Sequence, residues 1–419
     1  MKTSYSFFAL FFLIVLGSCG SDDSPMEVVA DTQSPTTPLN LIISGSSNSG
    51  WNISWEASSD NVDVTGYNVY LDGTKVKNNI SGTSTNVEGL VANSRYSVYV
   101  TALDNSANES GLSNTITCNF VGIAEFKNTL SEMGIYNGEM ESLTPAEGVQ
   151  LYELNSTLFT DYAYKQRLVR LPNCEKMKYD NSDLLPIFPD NTLIAKTFYY
   201  NLDENDLDLG KKIIETRILI KVNGEWQAGN YVWNQDQTEA MYTNDGSVQN
   251  ISYTDIAGNP QSIDYVIPDH NDCFTCHNNN NETFPIGMKL RSMNFDPSYV
   301  RQNQLTYFGL AGLLEDVTPS SISVLPDWTD ANLDILDRGR AYIDINCAHC
   351  HQPGGEVTNF ALDFRLETIF DDSGIYANRG EIEERIQSTL ATYMMPQLGR
   401  SIVHTEAVAM LLEYLEAIE

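Results

Sequence analysis

Gly66-Tyr67-Asn68-Val69-Tyr70-Leu71, closed by the turn pair Asp72-Gly73, is the stretch on which the reading of the fold turns. Its residues alternate with a period of two and are rich in Tyr and Val, the pattern of a strand that buries one face. Asn52-Ile53-Ser54-Trp55 and Tyr96-Ser97-Val98-Tyr99-Val100-Thr101-Ala102 repeat it on either side. Short runs of this kind, separated by turns across residues 38–119, predict a small all-β sandwich.

Downstream, residues 121–325 are expected to form a β-rich domain. Phe126, Leu130 and Met133 fall at helical spacing and predict a short helix over Ile123 to Met133. Strand patterns follow at Leu193 to Tyr200, Ile213 to Val222 and Tyr231-Val232-Trp233, with Asn223-Gly224 as a hairpin turn. The Tyr and Trp residues here read as core. Residues 330–419 change character. Leu333, Leu336, Ile343 and Cys347 approximate one helical stripe, and Val408, Leu411, Leu412 and Leu415 a second with Thr405 as cap. The expected architecture is therefore multidomain: a β-sandwich, a β-rich domain and an all-α domain.

Two copies of a five-residue pattern lie in the last two parts, Cys273-Phe274-Thr275-Cys276-His277 and Cys347-Ala348-His349-Cys350-His351. C-x-x-C-H attaches c-type haem: on the first turn of a helix the thiols at i and i+3 share a face and can add to one porphyrin, and the histidine binds the iron. The pattern thus assigns Cys273, Cys276, Cys347 and Cys350 to two covalent haems and His277 and His351 to iron. Zinc and a redox dithiol are the competing readings. Structural zinc sites usually space their cysteine pairs more closely than these, and a dithiol gives no reason for a histidine after each pair.

The amino terminus reads as an export signal. Met1-Lys2 precedes an apolar run from Phe7 to Leu16 that is short for a membrane span. Leu16-Gly17-Ser18-Cys19 resembles the lipobox of bacterial lipoproteins, which implies a signal peptide over 1–18 and a lipid on Cys19; an uncleaved anchor is the alternative. Asp22-Asp23 resembles the acidic run of surface-displayed lipoproteins, and residues 19–37 form a Ser/Pro/Thr-rich tether. The expected location is extracytoplasmic, in the periplasm or at the cell surface, with the outer membrane as anchor. Lipid and haem take five of the seven cysteines, leaving Cys118 and Cys174, which could pair in an oxidising compartment. The chain carries 56 acidic and 24 basic residues, a formal charge of −32. Without a basic stripe to displace counterions, nucleic acid is excluded as a partner. The acid excess reads as solvated surface, with steering toward basic redox partners as the alternative.

The sandwich segment resembles a fibronectin type III domain of secreted bacterial proteins. Trp55, Gly66 to Tyr70, Tyr96 to Ala102, Asp104 and Asn108-Glu109-Ser110 carry the resemblance. It implies a spacer, or a module for glycan or protein contact. Residues 121–419, through the first haem motif and Phe284 to Asn294, resemble a family of bacterial dihaem c-type cytochromes. From 330 onward the chain resembles a monohaem cytochrome c domain: Gly339 and Tyr414 match its helix crossing, Gln352-Pro353-Gly354-Gly355 its loop, and Met394-Met395-Pro396 its ligand loop. That resemblance makes Met395 the sixth ligand of the second haem, with Met394 in reserve. The distal ligand of the first haem stays open between Met288 and Met293, with His270, His404 and His349 as further candidates.

These readings lead to a lipid-anchored dihaem electron carrier with redox protein partners. Two alternatives stand beside it: a haem enzyme such as a dihaem peroxidase with an open first iron, and a surface glycan-binding or adhesion protein with accessory haems. No G-x-S-x-G elbow, H-E-x-x-H helix or phosphate-binding glycine loop is present, and no residue declares itself catalytic.

Overall fold

The computed structural model describes residues 1, 30–172, 174–315 and 317–418. The signal peptide, Cys19 and Asp22-Asp23 fall outside the described residues.

Seven strands form the amino-terminal sandwich. A three-stranded sheet of β1 (Leu39–Ser47), β2 (Gly50–Glu56) and β5 (Ser84–Glu88) has the order β1-β2-β5. It faces a four-stranded sheet ordered β4-β3-β6-β7, built from β3 (Val64–Leu71), β4 (Thr74–Ile80), β6 (Arg95–Asp104) and β7 (Ile116–Asn119). The period-two alternation turns Trp51, Ile53 and Trp55 of β2 and Tyr67 and Val69 of β3 inward, where they meet Val98 and Val100 of β6. Trp55 and Tyr67 pack edge to face at 5.3 Å between ring centroids. Thr36 N–H donates to Ser59 O at 2.9 Å, so the last residues of the tether already lie on the sandwich.

The second body is an antiparallel sheet in the order β13-β12-β11-β10-β9-β8. Its strands are β8 (Val149–Leu151), β9 (Tyr164–Arg170), β10 (Leu193–Asn201), β11 (Lys211–Val222), β12 (Glu225–Trp233) and β13 (Ala240–Thr243). Asn223 (φ 52°) and Gly224 (φ 86°) make the β11–β12 turn, the two positive φ angles a tight hairpin needs. A separate hairpin, β14 (Ser247–Thr254) with β15 (Pro260–Ile267), leads to α1 (His270–Cys276). Cys118 of β7 is bonded to Cys174, with Cα atoms 5.5 Å apart, which ties the sandwich to this body. Instead of the helix expected over Ile123 to Met133, only a 3-10 turn forms at Ser131–Met133. Leu130 and Met133 enter the core, but the run is too short to repay helix nucleation.

The all-α cytochrome c-like domain expected over 330–419 is not what the chain forms. The structure is mostly β, 32% strand against 18% helix. Past the short helices α2 (Leu290–Met293) and α3 (Gln304–Leu310), three helices occur: α4 (Ile335–Asn346), α5 (Arg379–Gln387) and α6 (Thr405–Ala417). Loops and 3-10 turns rich in Gly, Pro, Asp and Ser fill the rest and cannot sustain helix. The segment is not self-contained either. Ser401 and Ile402 donate backbone N–H bonds to Asp161, and His404 stacks on Phe159 at 3.9 Å. His404 also caps α6 without a side-chain bond, in place of Thr405.

The α4–α6 crossing itself is present. A Cβ on Gly339 would lie 2.3 Å from the Tyr414 ring, so only hydrogen fits between the two helices. Gly339→Ala is expected to destabilise the protein by about 1–3 kcal/mol of overpacking, more than the roughly 0.5–1 kcal/mol that alanine returns through helix propensity. A thermal melt of the variant matching the parent would contradict the crossing.

Candidate functional site

The two C-x-x-C-H segments, some seventy residues apart in sequence, meet in space. Neither lies on the first turn of a helix. The first occupies the end of α1, whose start is fixed by a capping box between Asp269 and Asp272. The second begins at Cys347, the residue that closes α4, and keeps one further turn through the bond from His351 N–H to Cys347 O at 3.0 Å. Each arrangement still sets the paired thiols three residues apart on one local turn.

Ligand atoms of Cys276, His349 and Cys350 lie within 4.8 Å of one another. Cys350 Sγ also points to Thr275 O at 3.7 Å. The chain after each motif locks the approach: Asn280 N–H donates to Gly354 O at 2.7 Å, and Asn279 Nδ2 to Pro353 O at 3.1 Å. A hydrogen bond with Cys350 holds the Cys276 thiol down to about 4, while the same bond and burial push Cys350 up. Burial pushes Cys347 up to about 12 and raises Cys273.

The two histidines differ in their ties. His277 Nδ1 lies 2.8 Å from Phe284 O, so that nitrogen donates and Nε2 is left with its lone pair. Burial, with the charge of Lys196 behind it, brings His277 down to about 4. His351 is also brought to about 4 by burial, with His349 and Arg385 adding to it, and its Nδ1 is shielded from water without a hydrogen-bond partner. Both imidazoles are neutral near pH 7, the form that binds a metal.

A feature absent from the sequence reading faces the first motif. Strand register places Arg167 of β9, Lys196 of β10, Arg217 of β11 and Asn230 of β12 directly opposite one another in a row. Like charges set opposite in a sheet repel. Arg217 pairs with Glu215, but among the described residues no carboxylate forms an ion pair with Lys196 or Arg167. Burial, then the charges of Arg167 and Arg217, bring Lys196 down to about 7. Arg167 Nε, Arg217 Nε and both side-chain polar atoms of Asn230 are buried without partners. Lys196 acts electrostatically on Cys276, and Arg217 on Cys273. The row is an anion-seeking surface beside the first thiol pair.

The remaining candidate ligands separate. Met288 and Met293 are fully buried in the apolar cluster against which Cys273 and Phe274 pack. His404 accepts from or donates to Tyr342 at 2.9 Å inside a cage of Phe159, Trp328 and Tyr342, which removes it from the first motif. His270 sits at the start of α1 against the Phe274 ring. His349 stands beside the first motif although it belongs to the second. Met394 is buried and Met395 half-buried; Met395 N–H donates to Arg385 O at 3.0 Å, on the element whose charge reaches His351.

An Arg–Asp clamp holds the motifs together. Arg291, 1% exposed, binds Asp344 at 2.9 Å and Glu367 at 2.6 Å, and Lys289 reaches Asp344 at 3.1 Å. Asp344 lies on α4 just before the second motif, and Arg291 follows the first. Buried opposite charges such as these are hard to read in sequence because their partners are remote.

Comparison with known proteins identifies one part of the chain. The fibronectin type III domain family matches residues 34–119, beginning four residues before the sequence reading placed it. Chitinase A1 of Niallia circulans is 42% identical over 87 residues, 21% of this chain and 12% of that protein. Exoglucanase B of Cellulomonas fimi is 39% identical over 87 residues, 21% of this chain and 8% of that protein. The chain thus spans about an eighth or less of the length of these relatives. Among solved structures, an Fn3-like protein from Clostridium thermocellum covers 22% of this chain and all of its own at 22% identity, with a TM-score of 0.19. No cytochrome c or haem family matches. The relatives are chitinases, an alpha-amylase and an exoglucanase, none of them a cytochrome, and they overturn the expectation of a dedicated electron-carrying cytochrome. The sandwich geometry and the family match agree: residues 34–119 are a fibronectin type III domain.

Proposed function

We propose that this is an exported, lipid-anchored protein that contacts polysaccharide through its fibronectin type III domain and holds two haems c in the body behind it. The 42% identity to a segment of chitinase A1 carries the glycan part of this reading. A surface feature supports it. Tyr70 of β3 and Tyr99 of β6 are cross-strand partners whose rings stack at 4.7 Å and 13° on the outer face of the sheet. Lys75 lies 5.3 Å from the centroid of the Tyr70 ring, and Tyr70 OH donates to Glu109 at 2.7 Å. Flat, rigid rings flanked by charged groups give sugar rings an apolar face and polar partners at small entropic cost.

The Tyr70→Ala/Tyr99→Ala double variant of the full chain is expected to bind insoluble chitin, starch or cellulose at least about tenfold more weakly, a loss of ~1.4 kcal/mol. The check is depletion of soluble protein by each polysaccharide. Parent protein that none of the three retains would leave the domain a spacer and defeat the glycan reading.

For the haems, Cys273 and Cys276 with His277, and Cys347 and Cys350 with His351, are the residues that would hold each group, with Met395 toward the second iron. The donors suit it: His277 is neutral, fixed through Nδ1 and free at Nε2, and Arg167 and Lys196, the members of the row without a carboxylate partner, would meet the acidic edge of a porphyrin. Bound haem supplies the iron and its chemistry; the chain supplies the tether, the ligand orientation and the compensating charge. Export agrees with the Cys118–Cys174 disulfide, a bond that persists in oxidising compartments.

A further inference from the structure

We propose that the cleft between the fibronectin type III domain and the β-rich body binds a sugar acid, with Arg170 holding its carboxylate. The cleft has a volume of about 210 Å³. Asn48, Ala92 and Asn93 line it from the sandwich, and the segment 121–125 with Arg170, the last residue of β9, lines it from the body. Its walls are fixed. The Cys118–Cys174 bond joins the two bodies just past Arg170, Asn93 N–H donates to Phe120 O at 2.9 Å, and Ala124 N–H donates to Asn191 Oδ1 at 2.9 Å.

Arg170 is 8% exposed, and its charge is not answered. Among the described residues its guanidinium bonds only through Nη1, to Met133 O at 2.9 Å and Asn93 Oδ1 at 3.4 Å, and no carboxylate forms an ion pair with it. Nε is shielded from water without an acceptor. Burial alone brings the group down to about 10, with no negative charge opposing the shift. The carboxylates that line the cleft are engaged elsewhere: Glu125 pairs with Lys127, and Glu132 Oε2 accepts from Thr129 N–H at 3.2 Å and Oγ1 at 3.0 Å. A cation withdrawn from water without a counter-ion is costly, and a ligand carboxylate would offset that cost.

Space and lining select the ligand. Drug-sized molecules occupy pockets of about 300–1,000 Å³, so this smaller cleft suits a single sugar ring. Guanidinium geometry matches a carboxylate in two parallel bonds, while Glu125 and Glu132 disfavour a doubly charged phosphate. The amides of Asn48 and Asn93 can serve hydroxyls, and Val121 and Ala124 offer apolar contact to a C–H face. A bound sugar acid would touch both walls and so fix the sandwich against the body. The site depends on neither the Tyr70–Tyr99 pair nor the haems.

The test is calorimetric titration of sodium glucuronate into the full chain, with glucose and sodium sulfate as controls. Glucuronate is expected to bind with a dissociation constant on the order of 1 mM, and glucose at least about tenfold more weakly because the charge-assisted pair is lost. Arg170→Gln keeps a donor and removes the charge, and should weaken glucuronate binding by about tenfold or more. Ala92→Trp places an indole at the exposed mouth of the cleft, and should block binding while melting with the parent. Glucuronate binding that weakens in both variants supports the site. No saturable binding by the parent, equal binding of glucose, or binding that survives either substitution overturns it. Sulfate held as tightly as glucuronate overturns the assignment to a sugar acid.

Discussion

Asp344→Ala is expected to lower the stability of the protein by about 3 kcal/mol. Breaking a buried ion pair from one side costs roughly 3–5 kcal/mol because the remaining charge is stranded. The lower end applies since Arg291 keeps Glu367 at 2.6 Å. Asp344 also accepts Leu366 N–H at 2.9 Å, so alanine leaves that donor unmatched as well. For a body of this size the melting midpoint should fall by several degrees. Acid separates the ion pair from a mere packing defect. Burial alone would raise the Asp344 carboxyl, but Lys289 and Arg291 more than offset it and hold the group below its ordinary range. A carboxyl depressed in the folded state contributes stability above its unfolded pKa, near 3.9, and that contribution is lost as pH falls through the folded value. The parent should therefore lose stability below about pH 4 more steeply than Asp344→Ala. Parallel acid profiles would show that the pair contributes nothing. The Arg291→Met/Asp344→Leu double variant, which removes the fully buried pair, should recover part of the loss, since Lys289, Glu367 and Leu366 N–H still lose a partner.

What could be read from the sequence follows from how local each signal is. The strands around Val69 and the Asn223-Gly224 turn are set by period-two alternation and by two adjacent residues that tolerate positive φ, so they were legible. Gly339 was legible only through the resemblance to a cytochrome c domain, whose helix crossing it matches. The cation row was not, since Arg167, Lys196 and Arg217 become neighbours only through the β9–β10–β11 register. The approach of His349 to Cys276 depends likewise on chain closure across more than seventy residues. The all-α expectation arose by extending two helical stripes across the loops between them; the second lies on α6, but of the first only Ile343 is a buried residue of α4, while Leu333 precedes the helix and Leu333 and Leu336 are exposed. Those loops dock on the β-rich body at Asp161 and Phe159, contacts that no periodicity reports.

Cys273→Ala is expected to weaken covalent haem attachment at the first motif, and Cys273→Ala/Cys276→Ala to abolish it, reducing the chain from two haems to one. Cys347→Ala/Cys350→Ala should remove the other. The pattern of loss carries the argument, because the structure offers a rival. Among the described residues, Cys276, His349 and Cys350 have the donor types and the mutual distances of a zinc centre. Under that alternative Cys273 and Cys347 are bystanders, and Cys276→Ala and Cys350→Ala each release the same single ion. Under haem attachment the losses follow the motifs, so the two pairs act independently and Cys273 matters as much as its partner three residues on. His349→Ala divides the cases once more, leaving thioether bonds intact but depriving zinc of a ligand. Mass measurement of denatured protein, matured in a host competent for cytochrome c assembly, counts the covalent haems, and mass measurement of the native protein counts bound zinc. Full retention of haem in Cys273→Ala/Cys276→Ala, or a parent mass without haem and with one zinc, would remove the haems from this protein and leave its two motifs as halves of a metal clasp.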